Sequence, residues 1–522
     1  METNLPIGVQ SFEDIRTSGY KYIDKTERMY QLTHMHKHVF LSRPRRFGKS
    51  LLVSTLEAYF LGRKELFEGL KVEELEKDWV EYPVLHLDLN LGEYNNEEGV
   101  SYVLNEALSQ WELEYGSRES EATAALRFKG IIRRAYEKTG RKVVVLVDEY
   151  DKPLIRTITN KELQDKHRNA LKVFYTVLKT CDDYIKFSFL TGVTKFSKVS
   201  IFSDLNNFDD ISLVADYYDI CGISEGELRN QFKTEVEALS VELDCSVEDA
   251  FAELKTNYDG YRFSSKTRRN GKEIDGIYNP FSLLNALKYK NLKSYWFETG
   301  TPTFLIEKIR SDNYEPKNID GITASEDELS SIYSEEMSTT QYLFQTGYLT
   351  IKDFDREFRT YTLGYPNKEV RQGFVKCLLP LYAPSNVSSS EFRADLFVQS
   401  LRAGDIEGFL RRLQTFLSSC PYELLAEQER HVQNIIYILS TLCGFYCEVE
   451  SHTNKGRIDM TIKTPKYIYV FELKYDVTAQ DALDQIKEKG YAEKFASDPR
   501  ELICVGINYS SQDRNINEWL VG

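Results

Sequence analysis

The stretch RPRRFGKS (residues 43–50) runs straight into LLVSTLEAYF (51–60), and its reading decides the fold of the first half of the chain. A phosphate-binding loop is a tight turn that aims successive backbone N–H groups at phosphate oxygens where a helix begins. A Lys then reaches the outer phosphates and a Ser or Thr hydroxyl holds Mg2+. Gly48, Lys49 and Ser50 supply the second half of such a loop, and Arg46, Phe47 and Leu51 flank it as further cofactor-contacting positions. The Gly that usually opens the loop is replaced by Arg43, followed by Pro44. That position often needs a conformation only Gly adopts cheaply, so the chain is expected to enter the turn along a different path. Arg43, Arg45 and Arg46 are read as charge partners for phosphate or for the acidic pair described next.

Working outward, HVFLS (38–42) reads as a short buried strand, and 49–62 has helical spacing with a Gly stop. PVLHLDLN (83–90) is a second strand, followed by helical stretches at 100–116 and 121–140. KVVVLVDEYD (142–151) is a β-branched run of the kind found in the centre of a parallel sheet. A helix near 161–181 leads to another strand, YIKFSFLTGVT (184–194). This alternation is that of an α/β domain with right-handed crossovers. The central strand ends in Asp148 and Glu149, where an NTP-hydrolysing site keeps an Mg2+-binding Asp and a water-activating Glu. Thr191 or Thr194 is placed to act as a polar sensor of the γ-phosphate.

The middle of the chain reads as packed helices with Gly and Pro punctuation, including NYDGYRF (257–263), YNPFSLLNAL (278–287) and LFQTGYLTI (343–351). NVSSSEF (386–392) reads as a linker or turn. Near the end, RIDMTIK (457–463) and YIYVFELKY (467–475) form a predicted hairpin, with a helix at 479–495 and a strand at 502–510 after it. Residues two apart on a strand point the same way, so Glu472 and Lys474 share a face. A turn from Thr464 to Tyr467 pairs 463 with 468 and sets Asp459 opposite Glu472. Two carboxylates on adjacent strands can hold divalent cations, Mg2+ or Mn2+, with Lys474 beside them to orient water or stabilise a charged transition state. Glu429, on an upstream helix, is a third candidate ligand, while Gln485 and Tyr491 are candidates on the downstream side.

Composition narrows the function. A formal net charge of −15 argues against a protein that coats nucleic acid nonspecifically, because such binding rests on Lys and Arg displacing counterions. No window resembles a secretory signal or a membrane span, and the eight dispersed Cys read as reduced thiols, so a cytoplasmic location is expected. The closest pair, Cys443 and Cys447, lacks zinc spacing. His34, His36 and His38 alternate along one stretch, a weak metal pattern with no Cys or carboxylate nearby.

With both motifs in view, the chain resembles a family of bacterial proteins, abundant in gut Bacteroidetes. These join an N-terminal AAA-ATPase-like domain to a C-terminal nuclease domain of the PD-(D/E)XK superfamily. The resemblance runs through LPIGVQSFEDIR, YIDKT, FLSRPRRFGKSLLVSTLEAYF, VVLVDEYDKP, FLTGVTKFS, NYDGYRF, YNPFSLLNAL, GRIDM, VFELK and QIKEKGYAEKF. In that family RPRRFGKS stands where a phosphate loop belongs, so Arg43 is a family habit. The resemblance implies ATP and Mg2+ at Lys49, Ser50, Asp148 and Glu149, and nuclease chemistry at Asp459, Glu472, Lys474 and Gln485. The PD dipeptide is absent, since Ile458 precedes Asp459.

The expected architecture is therefore α/β: a P-loop ATPase-like parallel sheet (1–215), a mainly helical lid or middle region (216–385) and a restriction-endonuclease-like domain (386–522). The expected function is an ATP-gated, metal-dependent DNA nuclease, with DNA chosen on the resemblance. A nucleotide-switched binding or signalling protein with a non-catalytic nuclease-like module is the alternative, and a nuclease whose altered loop no longer hydrolyses ATP is a third. AAA-type sites are often completed by an Arg from a neighbouring subunit, which makes a homo-oligomer a candidate assembly; no such Arg is identifiable here.

Overall fold

The computed structural model describes residues 4–195, 207–264, 268–269, 272–273, 275–297, 305–306, 308–309, 312, 319–330, 338–382, 394–418, 434–438, 441, 446–453 and 456–522. The 386–392 linker, Glu429 and Cys443 lie outside the described residues. The chain forms two units, Met1–Thr299 with Gly321–Glu369, and Gly300–Asp320 with Val370–Gly522.

In the first unit the run VVVLVD becomes β3 (Val143–Asp148), buried at every position, as a central strand covered on both faces must be. It lies between β2 (Val84–Asp88) and β4 (Ile185–Gly192). β4 in turn pairs with β1 (His38–Ser42), and β1 with the short β5 (Asp209–Asp210), giving the order β2-β3-β4-β1-β5 with every pair parallel. Parallel pairing brings the carboxyl ends of β1, β3 and β4 to one edge, the place where open α/β sheets carry their ligands. The sequence places RPRRFGKS, DEYD and TGVT at those three ends.

Helices at Gly99–Tyr115, Ala124–Thr139 and Lys161–Thr180 cover one face of this sheet. Phe128 and Phe174 stack there with centroids 4.4 Å apart. The three alternating His do not form a metal site. His34 bonds the Tyr30 carbonyl, His36 reaches Asp209, and His38 is buried between Ser188 and Asp182. No group of three or more potential metal ligands occurs among the described residues.

A second core in this unit packs helices Glu225–Gln231, Lys233–Glu242, Val247–Tyr258 and Pro280–Tyr289. The middle of the chain also holds an antiparallel sheet that helical spacing did not suggest: Thr323–Ser325, Thr360–Gly364 and Thr350–Asp355, in that order. The stretch LFQTGYLTI crosses from helix Thr339–Thr346 through Gly347, at φ 90°, into the strand at Thr350. One segment thus changes period halfway along.

The second unit contains a five-stranded sheet in sequential order, β6 (Tyr446–Thr453), β7 (Gly456–Lys463), β8 (Tyr467–Tyr475), β9 (Glu501–Ser510) and β10 (Asn515–Val521). Only β8 and β9 are parallel, joined by a crossover through helix Ala479–Glu488. The expected hairpin is β7–β8, and its register pairs Lys463 with Ile468 through Met460 with Phe471. β6 and β10 were not foreseen.

Candidate functional site

The turn after β1 places its left-handed residues at Arg46 (φ 69°) and Gly48 (φ 91°), not at Arg43. This is why position 43 does not require Gly here. Arg43 is 1% exposed, and its guanidinium donates to the carbonyls of Ser42 (2.9 Å), Ser212 (2.7 Å) and Tyr217 (3.1 Å). It also lies 4.2 Å over the Phe263 ring, and burial pulls its pKa down to about 10. Arg43 therefore anchors the entry to the loop and is not a partner of phosphate or of Asp148 and Glu149, a correction to the sequence reading. Arg45 is exposed, while Arg46 stacks 3.8 Å over Phe281.

Gly48 caps the helix Lys49–Phe60, whose N-terminus faces this turn and suits an anion. Lys49 is 4% exposed; its Nζ donates to the Pro44 carbonyl at 3.3 Å and lies 3.7 Å from Glu149 Oε1. The Ser50 side chain is hydrogen-bonded to Asp148, itself only 4% exposed. Burial and the neighbouring Glu149 charge raise the Asp148 pKa. Glu149 takes a left-handed backbone (φ 54°), uncommon for a residue with a Cβ and costing about 1–3 kcal/mol.

A cavity of about 350 Å³ opens beside these groups. Arg46, Phe47, Gly48, Lys49, Ser50, Leu51 and Glu149 line it together with Ile7, Val9, Ile223 and Phe281. It therefore has a polar, cationic end and an apolar end, in a size range that suits a cofactor. A Ser hydroxyl and a carboxylate in contact fit a hard divalent cation at the polar end.

Thr191 does not line this cavity. Its hydroxyl donates to the Leu41 carbonyl at 2.8 Å, tying β4 to β1. The Thr194 hydroxyl donates to Asp151 at 2.6 Å. Both protons are committed inside the fold, so neither Thr stands as the polar sensor expected from the sequence.

Two features escaped the sequence reading. Asp151, fully buried, accepts from the Val193 N–H (3.0 Å), the Thr194 N–H (2.5 Å) and the Thr194 hydroxyl, bolting the DEYD turn to the end of β4. NYDGYRF, noted only as punctuation, supplies Tyr261 and Phe263, which pack edge-on against Phe47 at 4.8 and 5.2 Å. An aromatic wall thus holds the phosphate loop from behind.

In the second unit Thr464 closes the β7–β8 turn, its hydroxyl accepting from the Tyr467 N–H at 2.9 Å. Asp459 Oδ2 accepts from the Leu473 N–H at 2.8 Å, which holds it against the strand that carries Glu472. Glu472 is 1% exposed; its Oε1 accepts from Lys474 Nζ at 3.1 Å and from the Gln485 amide. Its Oε2 is buried with no hydrogen-bond partner among the described residues. Burial, then the Asp459 charge, pushes the Glu472 pKa up to about 7. Asp459 and Glu472 would hold a hard divalent cation, whose charge would offset the burial of Glu472 and its repulsion by Asp459. Tyr491 is not part of this cluster: it packs in the core with Ile468, Val470 and Phe495.

Comparison with known proteins agrees with both halves. Residues 6–202 match the family described as "Predicted AAA-ATPase", and residues 427–519 match the PD-(D/E)XK nuclease superfamily. A protein of Azotobacter chroococcum mcd 1, described as an uncharacterized protein in the vnfD 5' region, is 35% identical over 99% of this chain and 98% of its own length. Among solved structures, the Aeropyrum pernix ORC2 protein in its ADPNP–ADP complexes aligns with a TM-score of 0.18 and 11% identity, over 66% of this chain and 87% of that one. The agreement of loop, acidic strand end and D…ExK hairpin with these matches settles the family: the chain belongs to the proteins that join an AAA-ATPase-like domain to a PD-(D/E)XK superfamily nuclease domain.

Proposed function

We propose that the protein binds and hydrolyses ATP at the phosphate loop and that this state controls a metal-dependent DNA phosphodiesterase in the second unit. The observation that carries the reading is Glu472: a buried carboxylate with one oxygen unpartnered, held by Lys474 and Gln485 and repelled by Asp459. Buried polar atoms rarely go without a partner, and here the orphaned oxygen belongs to a carboxylate that also has a Lys, a Gln and a second carboxylate gathered around it.

At the first site the N–H groups at the start of helix Lys49–Phe60 and the Lys49 ammonium receive the phosphates. Glu149, now within reach of Lys49, takes the proton of the attacking water once Lys49 turns to phosphate. Ser50 and Asp148 would hold Mg2+, which shields phosphate charge when bound. At the second site Asp459 and Glu472 would hold Mg2+ or Mn2+, which lowers the pKa of bound water. Lys474 stabilises charge developing on the phosphate, and Gln485 fixes the Glu472 carboxylate.

A second reading has one observation in its favour. Residues 421–522 contain 11 Lys and Arg against 16 Asp and Glu, a balance of −5 that suits an interaction module better than a strong DNA binder. Gel-shift and cleavage assays on the same DNA, comparing the protein with Glu472→Gln, separate the two. Cleavage lost in Glu472→Gln with retained binding supports the nuclease. Binding without cleavage by the unaltered protein, in Mg2+ and in Mn2+, supports the interaction module.

A further inference from the structure

The chain leaves the first unit twice, after Thr299 and after Glu369. Inside that unit, the residues just before both exits are pinned together. Glu369 is 4% exposed, and its Oε1 accepts from the Trp296 backbone N–H at 2.8 Å and from the Ser282 hydroxyl at 3.1 Å. Ser282 sits one residue after Phe281, on helix Pro280–Tyr289.

The phosphate loop touches this clamp from two sides. Arg46, in its left-handed conformation, stacks 3.8 Å over Phe281, and its guanidinium donates to the Tyr295 carbonyl at 3.3 Å. On the other side, Pro44 packs so closely on Gly347 that a Cβ there would lie 2.7 Å from the Pro44 side chain. The next residue, Tyr348, packs against Trp296 and Phe297, with centroids 5.0 and 6.0 Å away. Both routes converge on residues 295–297, immediately ahead of the first exit, and both begin in the loop that phosphate must enter.

Packed contacts respond to a small local change by switching between alternative arrangements and not by continuous deformation. Arg46 lines the cavity that phosphate must enter, so a bound phosphate competes with the Phe281 ring and the Tyr295 carbonyl for its guanidinium. We infer that Arg46 and the Glu369 clamp form a relay that carries the nucleotide state of the phosphate loop to the two points where the chain passes into the nuclease-bearing unit. Glu369 acts here as a positioning residue; it touches neither nucleotide nor DNA. The inference rests on the proposed nucleotide site and adds the path by which that site regulates the second unit.

Hydrogen–deuterium exchange on the full-length protein, with and without Mg2+ and a non-hydrolysable ATP analogue, tests it. The expected result is slower exchange at residues 43–50 and a nucleotide-dependent change at residues 293–297 in the unaltered protein. In Glu369→Ala the slowing at 43–50 remains while the change at 293–297 is diminished, because Trp296 and helix Pro280–Tyr289 are no longer pinned together. Glu369→Gln keeps the accepting oxygen but not the charge facing Arg46, and is expected to retain a reduced response; it replaces the Ala variant if that one fails to fold. Slowing at 43–50 with no change at 293–297 in the unaltered protein overturns the relay and leaves the nucleotide site standing. So does an undiminished response in both variants. No slowing at 43–50 in the unaltered protein overturns the nucleotide site, and the relay with it.

Discussion

Asp151 Oδ2 accepts both the backbone N–H and the hydroxyl of Thr194, at 2.5 and 2.6 Å, with the whole contact buried. Two residues upstream, Glu149 sits in a left-handed backbone that its own sequence does not favour. The bolt to β4 is what makes that conformation affordable, and so it fixes where the Glu149 carboxylate stands. Asp151→Asn turns an acceptor into a donor against a donor. It is expected to cost about 2 kcal/mol of stability and to lower kcat for ATP with little change in KM, read by urea denaturation and steady-state ATPase assays.

Lys49 and Glu149 face one another across the proposed nucleotide site, yet their substitutions should separate cleanly. Lys49→Ala removes the phosphate-binding cation, and titration with a fluorescent ATP analogue should show binding lost. Glu149→Gln keeps binding but removes the base, with hydrolysis falling by roughly 10²–10⁴-fold. Equal hydrolysis in Glu149→Gln and the unaltered protein would assign water activation elsewhere.

Arg43 offers a test in which motif and structure disagree. The motif makes Arg43→Gly a repair; the structure makes it a loss, because three carbonyls and the Phe263 ring lose their partner. A destabilisation of about 3 kcal/mol is expected, checked by the urea midpoint. Arg43→Lys should not rescue it, since one ammonium cannot span the same carbonyls.

How much was legible follows from the range of each interaction. β3 could be read because a β-branched run declares a buried strand by itself, and β1 and β4 because each is a short apolar run bounded by polar residues. Lys49, Ser50, Asp148 and Glu149 could be read because motif and strand end fix their place. Arg43 and Asp151 could not: Arg43 finds Tyr217 across 174 positions, and Asp151 finds Thr194 across 43. Thr191 and Thr194 were misassigned for the same reason, their acceptors being invisible in sequence. In the second unit the β7–β8 register followed from one turn residue, Thr464. β10 was missed because NINEWLV is an edge strand with an irregular burial pattern, so no alternation marks it.

Glu369 gives a pH signature. Burial raises its pKa from 4.5 to about 7, against the opposing hydrogen bonds from the Trp296 N–H and the Ser282 hydroxyl and the weaker pull of Arg46. The folded state therefore holds this proton more tightly than the unfolded chain, so the contribution to stability is complete below about pH 4.5 and is lost as pH rises through 7. Glu369→Gln cannot lose a proton. Relative to the unaltered protein, its stability should rise between pH 5 and 8 by up to about 3 kcal/mol, measured as the difference in Tm or urea midpoint across pH. A pH-independent difference would place Glu369 in its ordinary charged state.

The most direct test of the account is DNA cleavage by the full-length protein on plasmid, linear and single-stranded substrates, in Mg2+ or Mn2+, with and without ATP, beside Asp459→Ala and Lys49→Ala. The account predicts cleavage that responds to ATP, disappears in Asp459→Ala, and loses its ATP response in Lys49→Ala. No cleavage of any substrate under any of these conditions, or cleavage undiminished in Asp459→Ala, would contradict it.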